Sequence, residues 1–385
     1  MNRRKPIYLD YQATTPLDPE VRAAMLPFLD DLFGNPHSEH RIGWEAAAAV
    51  EDARRAVADL IGAAPGEIIL TAGATEANNL SLMGAARRTQ RRHILVSAIE
   101  HKCVLGPAAA LSAQGFEVEM IPVASDGIID LERLAQLIRP DTALVSVMAA
   151  NNEIGTLQPL AAISAHCAEM GALFHCDAAQ LAGKLPVDVY ALGIDLLSLS
   201  AHKFYGPKGI GALYIAEDVR SQIAPIMYGG GQQDGMRPGT LAPMLCAGLA
   251  VAARKALTEQ ALDEVHTRAL KARLIAHLLR KMPDIRVNGS ETSLSGCLNI
   301  RIPGIDAHAL LMMLQADLAA SVGSACNAGT IEPSYVLGAI GLAPDEARAS
   351  LRLGFGRFTT VEEIDQAVEL IYEKATRLSH SVAAE

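Results

Sequence analysis

The sequence has few aromatic residues, no long apolar run and no basic stripe, and each absence narrows the class of protein. Phe, Trp and Tyr make up 4% of the 385 residues, with a single Trp. No uninterrupted apolar run reaches the length of a membrane span, so we expect no membrane association. The formal net charge is −10, and no basic stripe interleaved with aromatics occurs, which argues against a dedicated nucleic-acid binder.

The cysteines also exclude one class of site. None forms a C-x-x-C pair, so their spacing gives no support for an intrinsic metal site. Cys326 lies in the small-residue stretch 321–330 with glycines on both sides, which predicts a mobile loop and a nucleophile that travels. The other five lie in apolar or helical surroundings, where a cysteine is usually a small buried hydrophobe: Cys103, Cys167, Cys176, Cys246 and Cys297.

We expect no secretory signal, because a polar start leads directly into Tyr8-Leu9-Asp10. We therefore expect a cytoplasmic protein whose cysteines stay reduced. The basic cluster Arg87–Arg92 most simply caps the C-terminus of a helix. A docking patch for an acidic partner is the less favoured alternative.

Strand-like and helical segments alternate along the chain, whose length suits two domains. Helical segments such as Gly43–Leu60 and Pro159–Met170 separate the strands, and an Ala-rich helix over Leu245–Leu279 is predicted to bridge two domains. The pattern predicts an α/β fold with a mostly parallel sheet covered by helices. The strand-like runs lie at about 68–70, 94–97, 118–121, 143–148, 172–176, 195–199 and 210–215.

Three of these strands end in residues suited to chemistry. The run Leu197–Ser200 leads into His202 and Lys203 before a Gly/Pro-rich loop, at the kind of strand end where open α/β folds bind ligands. A lysine there is usually solvated, but it can form a Schiff base with an aldehyde cofactor. Upstream, one apolar run ends in Asp177, and another leads into Thr71–Asn79, a helix start suited to an anion. A phosphate cradle, an acid and a lysine in this order indicate pyridoxal phosphate.

The chain resembles the cysteine desulfurases of the Nif/Isc type, which are pyridoxal-phosphate-dependent members of the class-V aminotransferase family. The resemblance extends from about residue 7 to about residue 375, which makes it far more specific than one short motif. The segments that carry it are Tyr8–Pro16, Thr71–Asn79, Glu100–Lys102, Asn151–Gly155, His175–Gln180, Ser200–Gly211, Met236–Thr240, Gly323–Cys326 and Glu332–Leu337.

The resemblance implies the aminotransferase-like fold, PLP fold type I, with a seven-stranded, mostly parallel sheet. It places the large cofactor-binding domain at residues 15–255. A smaller α+β domain is expected from residues 1–14 and 256–385, carrying the mobile cysteine loop at about 321–333. The active unit is expected to be a homodimer.

The resemblance also implies roles for individual residues. Lys203 would bind the cofactor and move the substrate Cα proton, and Asp177 would pair with the pyridinium nitrogen. His101 would stack on the cofactor ring and shuttle protons. Asn152 and Gln180 would reach the phenolic oxygen of the cofactor. Phosphate contacts are expected from Thr75, Ser200 and His202, and from Thr240 of the neighbouring subunit. Ala74 and Ala201 are expected among the other cofactor-binding residues.

Arg352 interrupts an apolar strand-like run, and a buried arginine needs an anion. An internal salt bridge would satisfy it, but the resemblance favours a substrate carboxylate, bound with the help of Asn152. Within the predicted loop Gly229–Thr240, Arg237 is expected to fix the position of the loop.

The implied reaction converts L-cysteine to L-alanine and transfers the sulfur to Cys326 as a persulfide. The persulfide would serve an iron–sulfur scaffold or another sulfur acceptor, including one for tRNA thiolation. Cys326 would then be a transient iron–sulfur ligand shared with the scaffold. The residues leave the Nif or Isc pathway and the acceptor open. The alternatives are a selenocysteine lyase or another pyridoxal phosphate lyase of this fold, and a catalytically idle assembly scaffold, against which the intact Lys203, Asp177, His101 and Cys326 argue.

Overall fold

The computed structural model describes residues 5–323, 326–327, 330–331 and 333–382, with the side chains of 326–327, 330–331 and 381–382 left out. Its strands are β1 (Ile7–Tyr8), β2 (Ile68–Thr71), β3 (His93–Ser97), β4 (Glu117–Ile121), β5 (Thr142–Ser146), β6 (Leu173–Asp177), β7 (Leu196–Ser200), β8 (Gly211–Ile215), β9 (Arg286–Val287), β10 (Cys297–Arg301), β11 (Leu318–Ala319), β12 (Cys326–Asn327), β13 (Thr330–Ile331) and β14 (Ser350–Gly354). Its α-helices are α1 (Pro19–Met25), α2 (Arg41–Ile61), α3 (Ala74–Ala86), α4 (Lys102–Ala113), α5 (Leu131–Leu137), α6 (Leu160–Met170), α7 (Pro243–Lys281), α8 (Ala307–Leu314), α9 (Tyr335–Ala339), α10 (Pro344–Arg348) and α11 (Val361–Val382).

The central sheet has seven strands in the order β2-β8-β7-β6-β5-β3-β4. All seven predicted strand-like runs lie in it, so the predicted α/β fold is confirmed. The neighbours from β7 to β4 pair in parallel, whereas β8 pairs antiparallel with both β7 and β2. The connection 201–210 between β7 and β8 is shorter than the dozen or so residues that a parallel crossover needs, so β8 returns antiparallel. Lys203 lies in this short connection.

Helices cover the sheet because its central strands are buried on both faces. The strand β7, for example, is buried at every residue. The helix α2 places Val50, Ala53 and Val57 on one buried stripe, with the spacing of three and four residues that an amphipathic helix requires. It ends at Gly62, whose φ of 72° is a left-handed conformation that glycine adopts without steric cost.

A second core forms around the three-stranded sheet β14-β10-β9. The long helix α7 contributes to both cores, with Leu249 and Ala253 in the first and Leu270 and Leu274 in the second. The predicted helix over Leu245–Leu279 is therefore confirmed as part of α7. This distribution supports two domains joined by α7, while the boundaries of the domains stay a prediction.

The N-terminal segment folds back over the end of the central sheet. The strand β1 pairs with β11, and Asp10 forms a bridge with Gly354 at the end of β14. Beyond it, the Thr15 N–H and hydroxyl both donate to the His202 carbonyl, at 2.9 and 3.0 Å. These contacts place Gln12, Ala13 and Thr14 against the connection that carries Lys203.

The arginines of the basic cluster at Arg87–Arg92 hold α3 and β3 against their neighbours. Arg87 donates to the Pro225 carbonyl at 2.7 Å, and Arg91 donates to the Thr142 carbonyl at 3.0 Å. The Arg92 guanidinium lies 4.8 Å from the centre of the Phe116 ring. These contacts favour the structural interpretation of the cluster over a docking patch. In the part of the chain that the structure describes, no helix is both long and apolar enough to cross a membrane.

Candidate active site

A cavity of about 960 Å³ opens where the parallel strands of the central sheet end. Its wall combines the N-terminal segment, the start of α3, the ends of β6 and β7, and one residue of β14. Most of the predicted site residues line it: Ala74, Thr75, His101, Asn152, Asp177, Gln180, Ser200, His202, Lys203 and Arg352.

The amine of Lys203 lies in this cavity and is held by two backbone carbonyls. Its Nζ donates to the carbonyls of Gln12 at 2.6 Å and Ala13 at 2.9 Å. Burial, and then the positive charge of Arg352, lowers the pKa of Lys203 from 10.5 to about 8. The neutral amine is the nucleophile toward an aldehyde, so this environment favours Schiff-base chemistry near neutral pH.

Asp177 ends β6 and is 3% exposed. Its Oδ2 accepts the Asn78 side-chain amide at 2.7 Å, and its Oδ1 accepts the Ala179 N–H at 2.9 Å. No cationic side chain among the described residues forms an ion pair with this carboxylate. The arrangement leaves a negative charge in the cavity wall that a protonated ring nitrogen would balance.

His101 and Cys103 form a hydrogen-bonded pair at the start of α4. The Nδ1 of His101 accepts the Cys103 N–H at 3.2 Å and lies 2.8 Å from the Cys103 Sγ. Burial, and then the negative charge of Asp177, raises the pKa of the Cys103 thiol, so this sulfur stays protonated. Because Nδ1 accepts the Cys103 N–H, the ring proton of neutral His101 lies on Nε2.

The prediction that Cys103 is a buried hydrophobe is wrong, because this residue is only partly buried and lines the cavity. Its Sγ also lies 3.0 Å from the side-chain amide of Asn78. The sequence carried one signal of this position, the spacing of two residues between Cys103 and His101.

The start of α3 approaches the sheet closely enough to form an anion cradle. Gly73 precedes α3 with a φ of 147°, and a Cβ at this position would lie 3.3 Å from the Ser200 Oγ. A Cβ on Gly211 would lie 2.7 Å from the Gly73 Cα, so both positions need glycine. The first N–H groups of α3, at Ala74 and Thr75, have no earlier carbonyl within the helix and lie at the cavity.

Two further predicted cofactor-binding residues differ in their placement. The Nδ1 of His202 lies 3.1 Å from the Thr14 hydroxyl, and burial lowers the pKa of His202 to about 4, so the ring is neutral near pH 7. Ala201 is fully buried, and its N–H donates to the Ile210 carbonyl at 3.1 Å. The role of Ala201 toward the cofactor stays a prediction.

The loop before Thr240 is anchored to the sheet and to α3. The Gln233 side chain pairs with the backbone of Leu70 in both directions, at 2.8 and 2.9 Å. Arg237 pairs with Glu76 at 2.8 Å and fixes the position of the loop, as predicted. Thr240 itself is exposed and does not line the cavity of its own chain. Its contact with a phosphate in a neighbouring subunit stays a prediction.

Arg352 makes an internal ion pair and also keeps donor capacity at the cavity. One amino group of its guanidinium donates to the Asp10 carboxylate at 2.7 Å, and the other donates to the Asn152 carbonyl at 3.1 Å. Its Nε is buried without a hydrogen-bond partner, as is the Oδ1 of Asn152. These two atoms have almost no accessible surface, so the donors left for a polar ligand in the cavity are the second N–H groups of the two guanidinium amino groups.

Gln12 and Lys184, the residues that hydrogen-bond with the Gln180 side chain, were not identified from the sequence. The Gln180 amide donates to the Gln12 carbonyl at 2.9 Å and accepts Lys184 Nζ at 2.8 Å. Burial, and then the charge of Lys203, lowers the pKa of Lys184 to about 7. Lys184 lies four residues after His175–Gln180, one of the segments that carry the family resemblance, but nothing in the sequence indicates that Lys184 is buried.

The predicted nucleophile is only partly described. The backbone of Cys326 forms β12, which pairs antiparallel with β13. The side chain of Cys326 lies outside the described residues, as do Ser324, Ala325 and Glu332. The role of Cys326 therefore stays a prediction.

Comparison with known proteins identifies the family of the chain. Residues 7–367 match the aminotransferase class-V family. The chain belongs to this family. It is 49% identical to a cysteine desulfurase of Pongo abelii over 378 residues, which cover 97% of this chain and 82% of that protein. Among solved structures, a NifS-like protein superposes with a TM-score of 0.91 at 35% identity, covering 97% of this chain and all of the other. The structure of SspA in complex with cysteine superposes with a TM-score of 0.80 at 36% identity, covering 92% of this chain and 99% of the other.

Enzymes of this family use pyridoxal 5′-phosphate, which confirms the predicted cofactor. The cavity fits that group, because it offers a lysine amine and a buried carboxylate in one space. The glycine cradle at Gly73 and the start of α3 supply donors for its phosphate. The resemblance in sequence and this arrangement of side chains thus agree.

Proposed function

We propose that the protein is a cysteine desulfurase that converts L-cysteine to L-alanine and transfers the sulfur to Cys326 as a persulfide. The observation that carries the proposal is that Arg352 lines the same cavity as the Lys203 amine. A cation with free donor capacity suits the carboxylate of an amino-acid substrate. The 49% identical relative, named a cysteine desulfurase, supports this assignment.

Lys203, Asp177, His101 and the start of α3 would hold the cofactor. When bound, pyridoxal phosphate supplies an electron sink that stabilises negative charge at the substrate Cα. Asp177 would keep the ring nitrogen protonated, since its carboxylate is buried in the wall of the cavity. Gln180 would donate to the phenolic oxygen, because Lys184 already occupies its Oε1 and leaves only N–H groups on its other side.

The substrate would be oriented by Arg352 and Asn152. The two guanidinium amino groups, each of which keeps a second N–H, would donate to the α-carboxylate, and the Asn152 side chain would help to orient the substrate. Arg352 is itself fixed by its contact with Asp10 at 2.7 Å, so the carboxylate would meet a preorganised donor.

Lys203 would move the Cα proton once its amine is free. With a pKa of about 8, the amine is partly neutral at physiological pH, as a general base requires. His101 would donate from Nε2, since its Nδ1 accepts the Cys103 N–H. The exposed position of His101 would allow exchange of that proton with solvent.

The sulfur transfer would balance as one bond broken and one formed. The thiolate of Cys326 forms a bond to the substrate sulfur while the bond between that sulfur and Cβ breaks. The electron pair of the broken bond stays on the carbon, which takes up a proton and leaves as part of L-alanine. The product on the enzyme is the Cys326 persulfide.

The assembly and the setting of the enzyme are parts of the same proposal. Thr240 is exposed and does not line the cavity of its own chain, which supports a homodimer in which it reaches the partner's phosphate site. The persulfide would pass to an iron–sulfur scaffold or another acceptor protein, with Cys326 as a transient cluster ligand. The described cysteines are all free thiols, which supports a reducing cytoplasmic setting.

Mass spectrometry after incubation with L-cysteine tests the function. We expect one added sulfur atom on Cys326 and the release of alanine. Cys326→Ala should lose both while keeping the cofactor absorbance, and Cys103→Ala is the matched control because Cys103 is a thiol that lines the cavity. Added sulfur on Cys103, or full alanine release by Cys326→Ala, would contradict the proposal.

A further inference from the structure

Glu153 contacts residues on both sides of the cysteine segment. Its Oε2 accepts the Ser334 hydroxyl at 2.6 Å. The backbone of Gly323 packs against the same oxygen, because a Cβ at this position would lie 2.0 Å from it and 3.3 Å from the Ser334 Cβ. Gly323 and Ser334 are the residues that bracket 324–333, and this stretch contains Cys326. One carboxylate thus joins the two ends of the segment.

Glu153 is itself rigidly held. It is 5% exposed, and its N–H donates to the Asn151 Oδ1 at 2.8 Å. Its carbonyl accepts the Asn299 amide of β10 at 3.3 Å. On the other side, Ser334 caps α9 by accepting the Leu337 N–H at 3.3 Å. The carboxylate therefore connects fixed elements and is not a freely moving side chain.

The same part of the chain reaches the substrate site. Asn152 lines the cavity, and its carbonyl accepts the Arg352 guanidinium at 3.1 Å. The backbone of Arg352 exchanges two hydrogen bonds with Ser321, at 2.7 and 3.2 Å. Ser321 precedes Gly323 by two residues. The expected carboxylate-binding arginine and the start of the cysteine segment are therefore in direct contact.

We propose that Glu153 is a positioning residue that ties both ends of the cysteine segment to the substrate-binding segment 151–155. It acts through Ser334 and Gly323 and sets where Cys326 meets the substrate sulfur. The inference rests on the proposed function, since it takes Cys326 as the sulfur acceptor. The location of Glu153 supports it, because a buried carboxyl is costly and contributes little to stability on its own. Burial raises the pKa of Glu153 to about 7, with Ser334, Arg352 and Lys102 acting in the opposite direction.

The experiment compares Glu153→Ala and Ser334→Ala with two controls in the holoenzyme. Ser334→Thr keeps the hydroxyl, and Glu132→Gln changes an exposed carboxylate on α5. One readout is the rate at which iodoacetamide alkylates Cys326 in the resting enzyme, measured by peptide mapping. The second is a single turnover with L-cysteine, in which the early absorbance change of the cofactor is followed separately from persulfide formation on Cys326.

We expect both alanine variants to slow persulfide formation about tenfold, which corresponds to the loss of one buried hydrogen bond. The early absorbance change should keep its rate, since the residues that bind substrate and cofactor are untouched. The alkylation rate of Cys326 should change in both variants, and the double variant should resemble either single variant because they remove the same contact. Ser334→Thr and Glu132→Gln should match the unmodified enzyme.

Two results would overturn the proposal. Additive effects of the two alanine substitutions would show that Glu153 and Ser334 act independently. If the absorbance change and persulfide formation were slowed equally and the alkylation rate of Cys326 were unchanged, Glu153 would only stabilise the folded protein and would not position Cys326. If the unmodified enzyme forms no persulfide on Cys326, the proposed function fails, while the alkylation rates still decide whether Glu153 positions the segment.

Discussion

Replacing Glu153 with Gln should change how the stability of the protein depends on pH. Burial raises the pKa of Glu153 from 4.5 to about 7 in the folded chain. Between these values the folded state holds a proton that the unfolded state has released. Stability therefore falls as pH rises through this window, and the shift corresponds to a loss of about 3 kcal/mol.

The glutamine side chain has the same size, can accept the Ser334 hydroxyl and does not titrate. Relative to the unmodified protein, the variant should gain about 3 kcal/mol in free energy of unfolding between about pH 4.5 and pH 8. Paired urea denaturations across this range measure the difference, in which the contributions of all other groups cancel. Glu132→Gln is the control, because Glu132 is exposed. Parallel stability curves for Glu153→Gln and the unmodified protein would refute the argument.

Three further predictions concern the cavity. The purified protein should be yellow, and borohydride reduction should fix the pyridoxyl group on Lys203, whereas a label on Lys208 would contradict the assignment. Burial lowers the pKa of Lys184 to about 7, so the folded protein loses this proton at a lower pH than the unfolded chain, and the free energy of unfolding rises between about pH 7 and pH 10.5. Lys184→Met should remove that rise. An unchanged dependence of the free energy of unfolding on pH, in paired denaturations, would exclude a buried amine. Thr240→Ala should weaken cofactor retention. Mixing this variant with Lys203→Ala should restore part of the alanine release on subunit exchange, since one of the two sites in a hybrid dimer carries neither substitution. Absence of recovery in confirmed hybrid dimers would exclude a shared site.

The sheet was predictable because most of its strands are short, rich in apolar residues and followed by a turn or a helical segment. A strand buried on both faces, such as Leu196–Ser200, needs mainly apolar and small residues, and that pattern is visible in the sequence. Lys203 and Asp177 were predictable for the same reason, since each polar residue stands where an apolar run stops. The local pattern determines where a strand ends, and the parallel sheet brings those ends to one edge.

The partners of these residues were not predictable, because they come from distant parts of the chain. Asn78 meets Asp177 across 99 residues of sequence, and Gln180 meets Gln12 across 168. Each pairing depends on which face of a helix or segment turns toward the sheet. The prediction for Cys103 failed for this reason, since an apolar sequence context does not reveal that α4 begins at the cavity.

The two interpretations of Arg352, an internal salt bridge and a substrate-carboxylate ligand, describe the same side chain before and after the substrate binds in the proposed reaction. In the structure its charge is paired with Asp10, while Nε is buried and unpaired. A substrate carboxylate that binds at the guanidinium amino groups would share or replace Asp10 as the anion. The guanidinium would then stay paired at every stage, which avoids the cost of a buried unpaired charge. Because the backbone of Arg352 is bonded to Ser321, any shift of the arginine on substrate binding would act on the start of the cysteine segment that Glu153 holds.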